Sequence, residues 1–480
     1  MTARDPAQRT THPSRADSPS LKRLLGPVSV ACVGVGGAIG SGIFAAPGES
    51  ANYLHTPWAI LSVWVLAGII TLLQSFVTAE LATRFPRAGG EYQYLKEAYG
   101  DFAAFFFGWS FTVFIVGAGG ATIAAAFGDF VAELLVMDQP WAPPSFGCGA
   151  ILAVCMINAI GLRTGAVTLN ILTLLKTAAL VAIAIGVVAV AGRITFAPPR
   201  QLAESAPAAR PFLEAYLLAL MPAFWAYTGA TDSAKLAEET RDVKRALPLA
   251  LILTVTILTI VYCLYNYALL CAVSPDEMAG HRSVPALVFR GVTGYPINDL
   301  ILIASALICL GAISSVFLAN VRVTYALARD GLTFRFLSKM SSRQAPVASI
   351  AVGGALACAF VIQRRFGEIL RIYFLASAIL FGLTYLSLII FRLRDRRECR
   401  GWPESVFRTP AGYVVAVVLI VIELAIAASI LLSDAREGRR DSIWTAALLA
   451  ALAVFYLIWK QVYPTGQGAE KRRIPGNDDG

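Results

Sequence analysis

Twelve blocks of this chain are apolar for long enough to cross a lipid bilayer, and that property removes most of the folds otherwise open to it. A helical crossing takes roughly 20 residues. Inside hydrocarbon, backbone N–H and C=O groups must find partners within the protein, so blocks of this length are read as helices. They run approximately over 27–52, 57–82, 101–135, 145–160, 164–192, 212–238, 246–273, 297–328, 346–362, 366–391, 412–433 and 442–462. Only 15% of the 480 residues are charged and 57% are hydrophobic, too little charge to clothe a water-soluble surface of this size. The fold class expected is an all-α polytopic membrane protein.

The first block is not a uniform helix former. Its stretch GVGGAIGSGIFAAPG holds Gly34, Gly36, Gly37, Gly40, Ser41 and Gly42 in close succession. Each glycine costs roughly 1 kcal/mol in a helix interior relative to alanine, which predicts a break here. A break at membrane depth leaves backbone groups unpaired, and they are tolerated only where they are buried in protein or face a polar cavity. The sixth block repeats the pattern. FWAYTGATDSAKLAEE, from Phe224 to Glu239, begins aromatic and apolar and loses helical character at Thr228, Gly229, Ala230 and Thr231. Asp232 is expected to cap the helix that resumes after it. The two breaks stand five spans apart, the spacing of two inverted five-helix repeats with a site at the midplane between them. Close packing of helices through small residues is the alternative use of such glycines.

Charge placement sets the expected orientation. Most of the Lys and Arg fall in segments on the N-terminal side of the bilayer, among them Arg84, Arg87, Lys96, Arg392, Arg394, Arg396 and Arg397. By the positive-inside rule both termini face the cytoplasm, in the cell membrane. The formal net charge of +9 is thus topological, and without a basic patch interleaved with aromatics no nucleic-acid partner is expected. The histidines, His12, His55 and His281, are scattered and the cysteines form no C-x-x-C pair, so neither a metal site nor a cofactor is expected. The tail of residues 1–20 is polar and expected to be disordered, and it lacks the pattern of a cleaved signal peptide. GVGGAIG is not a nucleotide loop, because position 39 is isoleucine and no strand–helix unit surrounds it.

Four stretches carry a family likeness: GGAIGSGIFAAPG, ELATRFPRAGGEYQYLKEAYGD from Glu80 to Asp101, FWAYTGATDSAKLAEETRDVKRALP, and YALARDG from Tyr325 to Gly331. With the twelve-span layout, they make the chain resemble the amino acid/polyamine/organocation transporter superfamily, and within it bacterial amino acid permeases and the L-type amino acid exchangers. The resemblance implies the leucine-transporter-like fold, with a 5+5 inverted repeat and discontinuous helices 1 and 6. Residues 21–192 would form the first repeat, 212–391 the second, 412–462 the last two spans, and 463–480 a cytoplasmic tail. It further implies that Gly40, Ser41 and Gly42 receive a substrate α-carboxylate on freed N–H groups, which a helix N-terminus is suited to do. The α-amino group would lie on carbonyls of Ala38, Trp225 and Thr228, with Trp225 closing over the substrate and Thr231 at the pocket.

Lys176 lies mid-span in LNILTLLKTAALV, where a lysine costs about 2.5 to 3.5 kcal/mol and so should face a partner or a polar cavity. By resemblance it fills the place of sodium in sodium-coupled relatives, beside the first helix and the hydroxyls of Ser314 and Ser315. Sodium-independent transport would follow, as proton symport or as exchange. Glu423 is expected to pair with a neighbouring helix or a partner subunit, a structural role favoured over one in transport, although an accessory subunit is not indicated. The function expected is a permease, not an enzyme, moving a free neutral L-amino acid across the bilayer. Asp232 decides the rival reading of a cationic amino acid or polyamine carrier: as a helix cap it leaves the pocket neutral, and aimed inward it attracts a cation. A non-transporting amino acid sensor is the remaining alternative.

Overall fold

The computed structural model describes residues 26–86, 90–191, 210–281, 283–292, 295–343, 345–363, 366–399 and 401–462. The two terminal tails and Arg87 lie outside these residues, as does the side chain of Lys235. All regular elements among the described residues are helices. Eight of them are long and apolar enough to cross a membrane: Pro57–Arg84, Asp101–Leu134, Ala142–Ile160, Val243–Ala272, Asp299–Arg329, Phe366–Arg397, Gly412–Glu437 and Asp441–Val462. The remaining expected spans are Leu162–Ala191, the 17-residue Val347–Gln363, and the two broken ones. The chain is an all-helical polytopic membrane protein.

Burial orders these spans. The third is 89% buried over its most apolar window and stands at the centre, while the twelfth is 17% buried and forms the outer wall. That difference explains why Gly117, Gly119 and Gly120 recur in the third span: neighbours on the eighth, ninth and tenth spans approach where a Cβ would stand.

The first span breaks where its glycines predict. A helix runs over Pro27–Ala38, Ile39 is extended, and a second helix runs over Gly42–Ala51. The sixth span runs as Phe212–Tyr227, turns through extended Thr228 and resumes as a 3-10 helix over Ala230–Glu239. Here one expectation is corrected. Asp232 does not cap the resumed helix: Gly229 occupies the cap position at φ 98°, in the left-handed region that favours glycine, and no side chain caps that end. The turn is made by backbone, and Asp232 stands in the cavity wall instead.

Two further departures concern helix type. The third span widens to a π-helix over Phe111–Ala118 and the eighth over Val316–Asn320. Such turns interrupt the regular ladder and are frequent at functional sites.

Candidate substrate site

The two breaks face one another because glycine lets their backbones touch. A Cβ at Gly42 would lie 2.6 Å from the Cα of Ala226, and one at Gly229 would lie 3.0 Å from the carbonyl oxygen of Gly37. Side chains then tie the halves together. Tyr262, fully buried on the seventh span, has its hydroxyl 3.0 Å from the Ala226 carbonyl and 3.4 Å from that of Ala38. Ser50 donates to the Ala219 carbonyl at 3.1 Å, and Thr254 to that of Ala31 at 3.2 Å.

Between the breaks lies a cavity. The first span supplies Gly37, Ala38, Gly40, Ser41 and Gly42, and the sixth supplies Trp225, Thr228, Gly229 and Asp232. Ile115, Gly119 and Ile123 from the third span, Ala312, Ser315, Val316 and Asn320 from the eighth, and Tyr373 from the tenth complete the wall. The resumed first helix makes its first bonds from the N–H groups of Phe44 and Ala45 to the Ser41 carbonyl. The N–H groups of Gly42 and Ile43 precede any intrahelical acceptor, as at every helix start, so the positive end of this helix is turned toward the break. Trp225 packs edge-on to Tyr373 at 4.8 Å, and its Nε1 reaches the Ser41 hydroxyl at 3.5 Å, so the indole bridges the two breaks.

A second cavity shares Thr228, Gly229, Asp232, Asn320 and Tyr373 with the first, and continues past Thr231, Gln74 and Glu91 to Tyr385. It leads toward the end of the bundle that carries Arg84 and Lys96. Asp232 and Glu91 are the charged side chains on the two walls among the described residues, and both are acidic.

The residues expected at the site thus fall into three places. Ala38, Gly40, Ser41, Gly42, Trp225, Thr228 and Ser315 line the central cavity, and Thr231 lines the adjoining one. Lys176 and Ser314 line neither. Lys176 is fully buried against the eighth span, where a Cβ at Gly311 would lie 3.4 Å from its Cδ. Among the described residues neither its Nζ nor the Ser314 hydroxyl has a hydrogen-bond partner. Tyr373, Tyr262 and Asn320 join the site without having been expected there. Asn320 had a signal, a carboxamide inside an otherwise apolar block. The two tyrosines had none, because aromatics in buried spans more often serve packing.

The profile of a family described as amino acid permease matches residues 25–474. The chain belongs to the amino acid permease family. The b(0,+)-type amino acid transporter 1 of Mus musculus is 26% identical over 460 residues, covering 94% of this chain and 91% of the relative. Its Homo sapiens counterpart is 28% identical over 416 residues, covering 85% and 83%. The large neutral amino acids transporter small subunit 2 of Mus musculus is 29% identical over 319 residues, covering 65% and 59%. The chain is therefore an amino acid permease with the leucine-transporter-like fold of its superfamily, not an enzyme. In this permease the stretch matched by the family includes both breaks and the whole cavity wall.

The end of the bundle near the second cavity is held by ion pairs. Arg84 grips Asp395 at 2.5 and 2.6 Å, and Arg392 grips Glu80 at 2.6 and 2.8 Å. Lys96 pairs with Asp330, which also accepts from the Tyr92 hydroxyl at 3.0 Å. Burial, reinforced by the Asp330 charge, pushes the Tyr92 hydroxyl above its ordinary range, so it stays a donor. Arg84, Glu80, Tyr92 and Lys96 come from the ELATRFPRAGGEYQYLKEAYGD stretch, which therefore fastens the spans around the cavity mouth.

Proposed function

We propose that this permease moves a free L-amino acid by alternating access, held between the breaks of the first and sixth spans, without sodium. The observation that carries the reading is the cavity walled by both breaks, with the start of a half-helix at Gly42 turned toward it. That end suits an α-carboxylate, and carbonyls at Ala38, Trp225 and Thr228 suit an α-ammonium. Recognition on the first span is backbone chemistry: Gly40, Ser41 and Gly42 act through N–H groups rather than through side chains. Lys176 supports sodium independence, because an ammonium beside the eighth span occupies space that a cation would otherwise take. Residues 21–192 and 212–391 act as inverted repeats, with their π-helical turns at the third span of each half. Both termini face the cytoplasm, and the chain works in the cell membrane without an accessory subunit.

Ile115, Ile123, Val316, Trp225 and Tyr373 give the pocket an apolar and aromatic wall that favours a neutral side chain. A second reading is favoured by Asp232, which lines both cavities instead of capping a helix: a cationic amino acid placed there would meet a carboxylate. One experiment tests both. The purified chain is reconstituted alone in liposomes, and uptake of labelled amino acids is measured with and without sodium, a pH gradient and internal substrate. Sodium-independent uptake of leucine or alanine supports the first reading. Competition by arginine but not by leucine, alanine or serine replaces it with the second, and uptake of nothing in any arm overturns both.

A further inference from the structure

Glu423 stands in the middle of the eleventh span, Gly412–Glu437, and takes no part in the site proposed above. It is 2% exposed, and among the described residues neither of its carboxyl oxygens has a hydrogen-bond partner. Val421 and Leu424 beside it are exposed on the face that would meet lipid, so Glu423 points the other way, into the bundle. A carboxyl at membrane depth with no donor and no counter-charge is stable there while it holds a proton, and ionisable groups so placed are by default functional candidates.

The eleventh span packs against the tenth, sixth, second and twelfth. The tenth and eleventh spans run antiparallel, with Arg392 over the Tyr413 ring at one end and Arg371 on Asp434 at the other, a register that sets Glu423 near the level of Tyr385. Of the other charges on these elements, Arg371 is engaged with Asp434, Arg392 with Glu80, Arg84 with Asp395, and Glu214 with Arg436, while Glu368 stands in the first turn of the tenth span and Arg394, Arg396 and Arg397 in its last. Tyr216 bonds to Ser62, and Tyr227 to the Trp64 carbonyl. Asp441 and Lys460 lie at opposite ends of the twelfth span, and Glu437 at the far end of the eleventh. Tyr385 lines the second cavity, where Gln74 Nε2 donates to its oxygen at 2.6 Å. With that acceptor position filled, the tyrosine keeps its own hydrogen to donate.

We propose that Glu423 is a proton-carrying group of the transport cycle, loaded and unloaded through Tyr385 and water in the second cavity. In unloading, once the cycle brings the two groups into hydrogen-bond contact, the carboxyl proton passes to the Tyr385 oxygen as the hydrogen of that hydroxyl passes to a cavity water. The water leaves as hydronium, Tyr385 is unchanged, and the carboxylate keeps one negative charge. Loading is the reverse. The proposal rests on the reading of the chain as an amino acid permease and adds the proton as its coupled ion.

The test uses the full chain in liposomes, with a carbon-labelled mixture of the protein amino acids as probe. An acid-outside gradient is expected to stimulate uptake by the wild type. Glu423→Gln is expected to lose that stimulation while still exchanging external label for internal unlabelled mixture, and Glu423→Asp to recover part of it. Infrared difference spectra between acid and alkaline buffer provide the second readout: a protonated-carboxyl band present in the wild type, shifted in Tyr385→Phe and absent in Glu423→Gln. Stimulation that survives in Glu423→Gln overturns the proposal, as does a wild type without gradient stimulation or with no titrating carboxyl band. If Glu423→Gln does not fold, the wild-type and Tyr385→Phe spectra decide alone. A wild type that takes up no label in any arm sinks the permease reading instead, a result separable from the infrared one.

Discussion

The hydroxyl of Tyr262 sits within reach of a carbonyl on each broken span, so a single oxygen couples the two halves of the cavity wall. Tyr262→Phe removes that donor and leaves a buried carbonyl short of a partner, a loss of about 1 kcal/mol or somewhat more. Uptake assayed in liposomes is expected to fall about fivefold with the protein still folded. Asp232 carries the second prediction at this scale. Asp232→Asn is expected to abolish any inhibition of uptake by arginine while leaving inhibition by leucine in place, measured by competition against labelled substrate. Residue-level features were unevenly legible. That Gly40, Ser41, Gly42 and Trp225 line a cavity could be read because glycines crowd where a membrane helix tolerates few, and because an aromatic stands just before the second break. Asp232 reads in sequence as a cap, since an aspartate three residues past a glycine fits a cap as well as a cavity wall, and only the φ of Gly229 separates the two. Tyr373 was not readable at all: the segment IYFLASAIL is buried on most of its faces, and its pattern does not say which ring meets the cavity.

The broken helices hold their shape because close contact, not flexibility, dictates glycine at the crossing. Gly42→Ala would drive a Cβ to 2.6 Å from the Ala226 Cα, and two backbones must separate to admit it. Overpacking of this kind costs about 1 to 3 kcal/mol, so the variant is expected to lose about fivefold or more in uptake, read alongside its thermal melting in detergent. Gly229→Ala faces a different obstacle, a left-handed backbone that costs roughly 1 to 2 kcal/mol for a residue with a Cβ. Element existence and spacing were legible throughout, because apolar length is a direct consequence of bilayer thickness. The π-helical turns at Phe111–Ala118 and Val316–Asn320 were not, since they insert a residue into the ladder without a proline or glycine signature that differs from ordinary packing. They widen the third and eighth spans at the places where Ile115, Val316 and Asn320 enter the wall.

At the scale of the whole molecule, ion pairs at the two ends of the bundle enclose an interior with few charges. Arg392 and Glu80 are 8% and 1% exposed, so removing one partner strands the other in a dry setting. Arg392→Ala is expected to cost about 3 to 5 kcal/mol of stability, seen as a lower melting temperature without a change in substrate preference. Lys176 tests the coupling of the assembly: Lys176→Ala leaves a buried space beside Gly311, and uptake is expected to fall sharply or to acquire a dependence on sodium. The twelve-span plan was readable from end to end, whereas the packing of Lys176 against Gly311 was not, because tertiary distance at a helix crossing leaves no trace in spacing. The central claim is that freed backbone at the two breaks grips the α-carboxylate and α-ammonium of a free amino acid. The most direct measurement is competition, against labelled uptake in liposomes, between an amino acid and the amine that keeps its side chain but lacks the carboxylate. The account predicts that leucine competes and isopentylamine does not; equal competition by the two would contradict it.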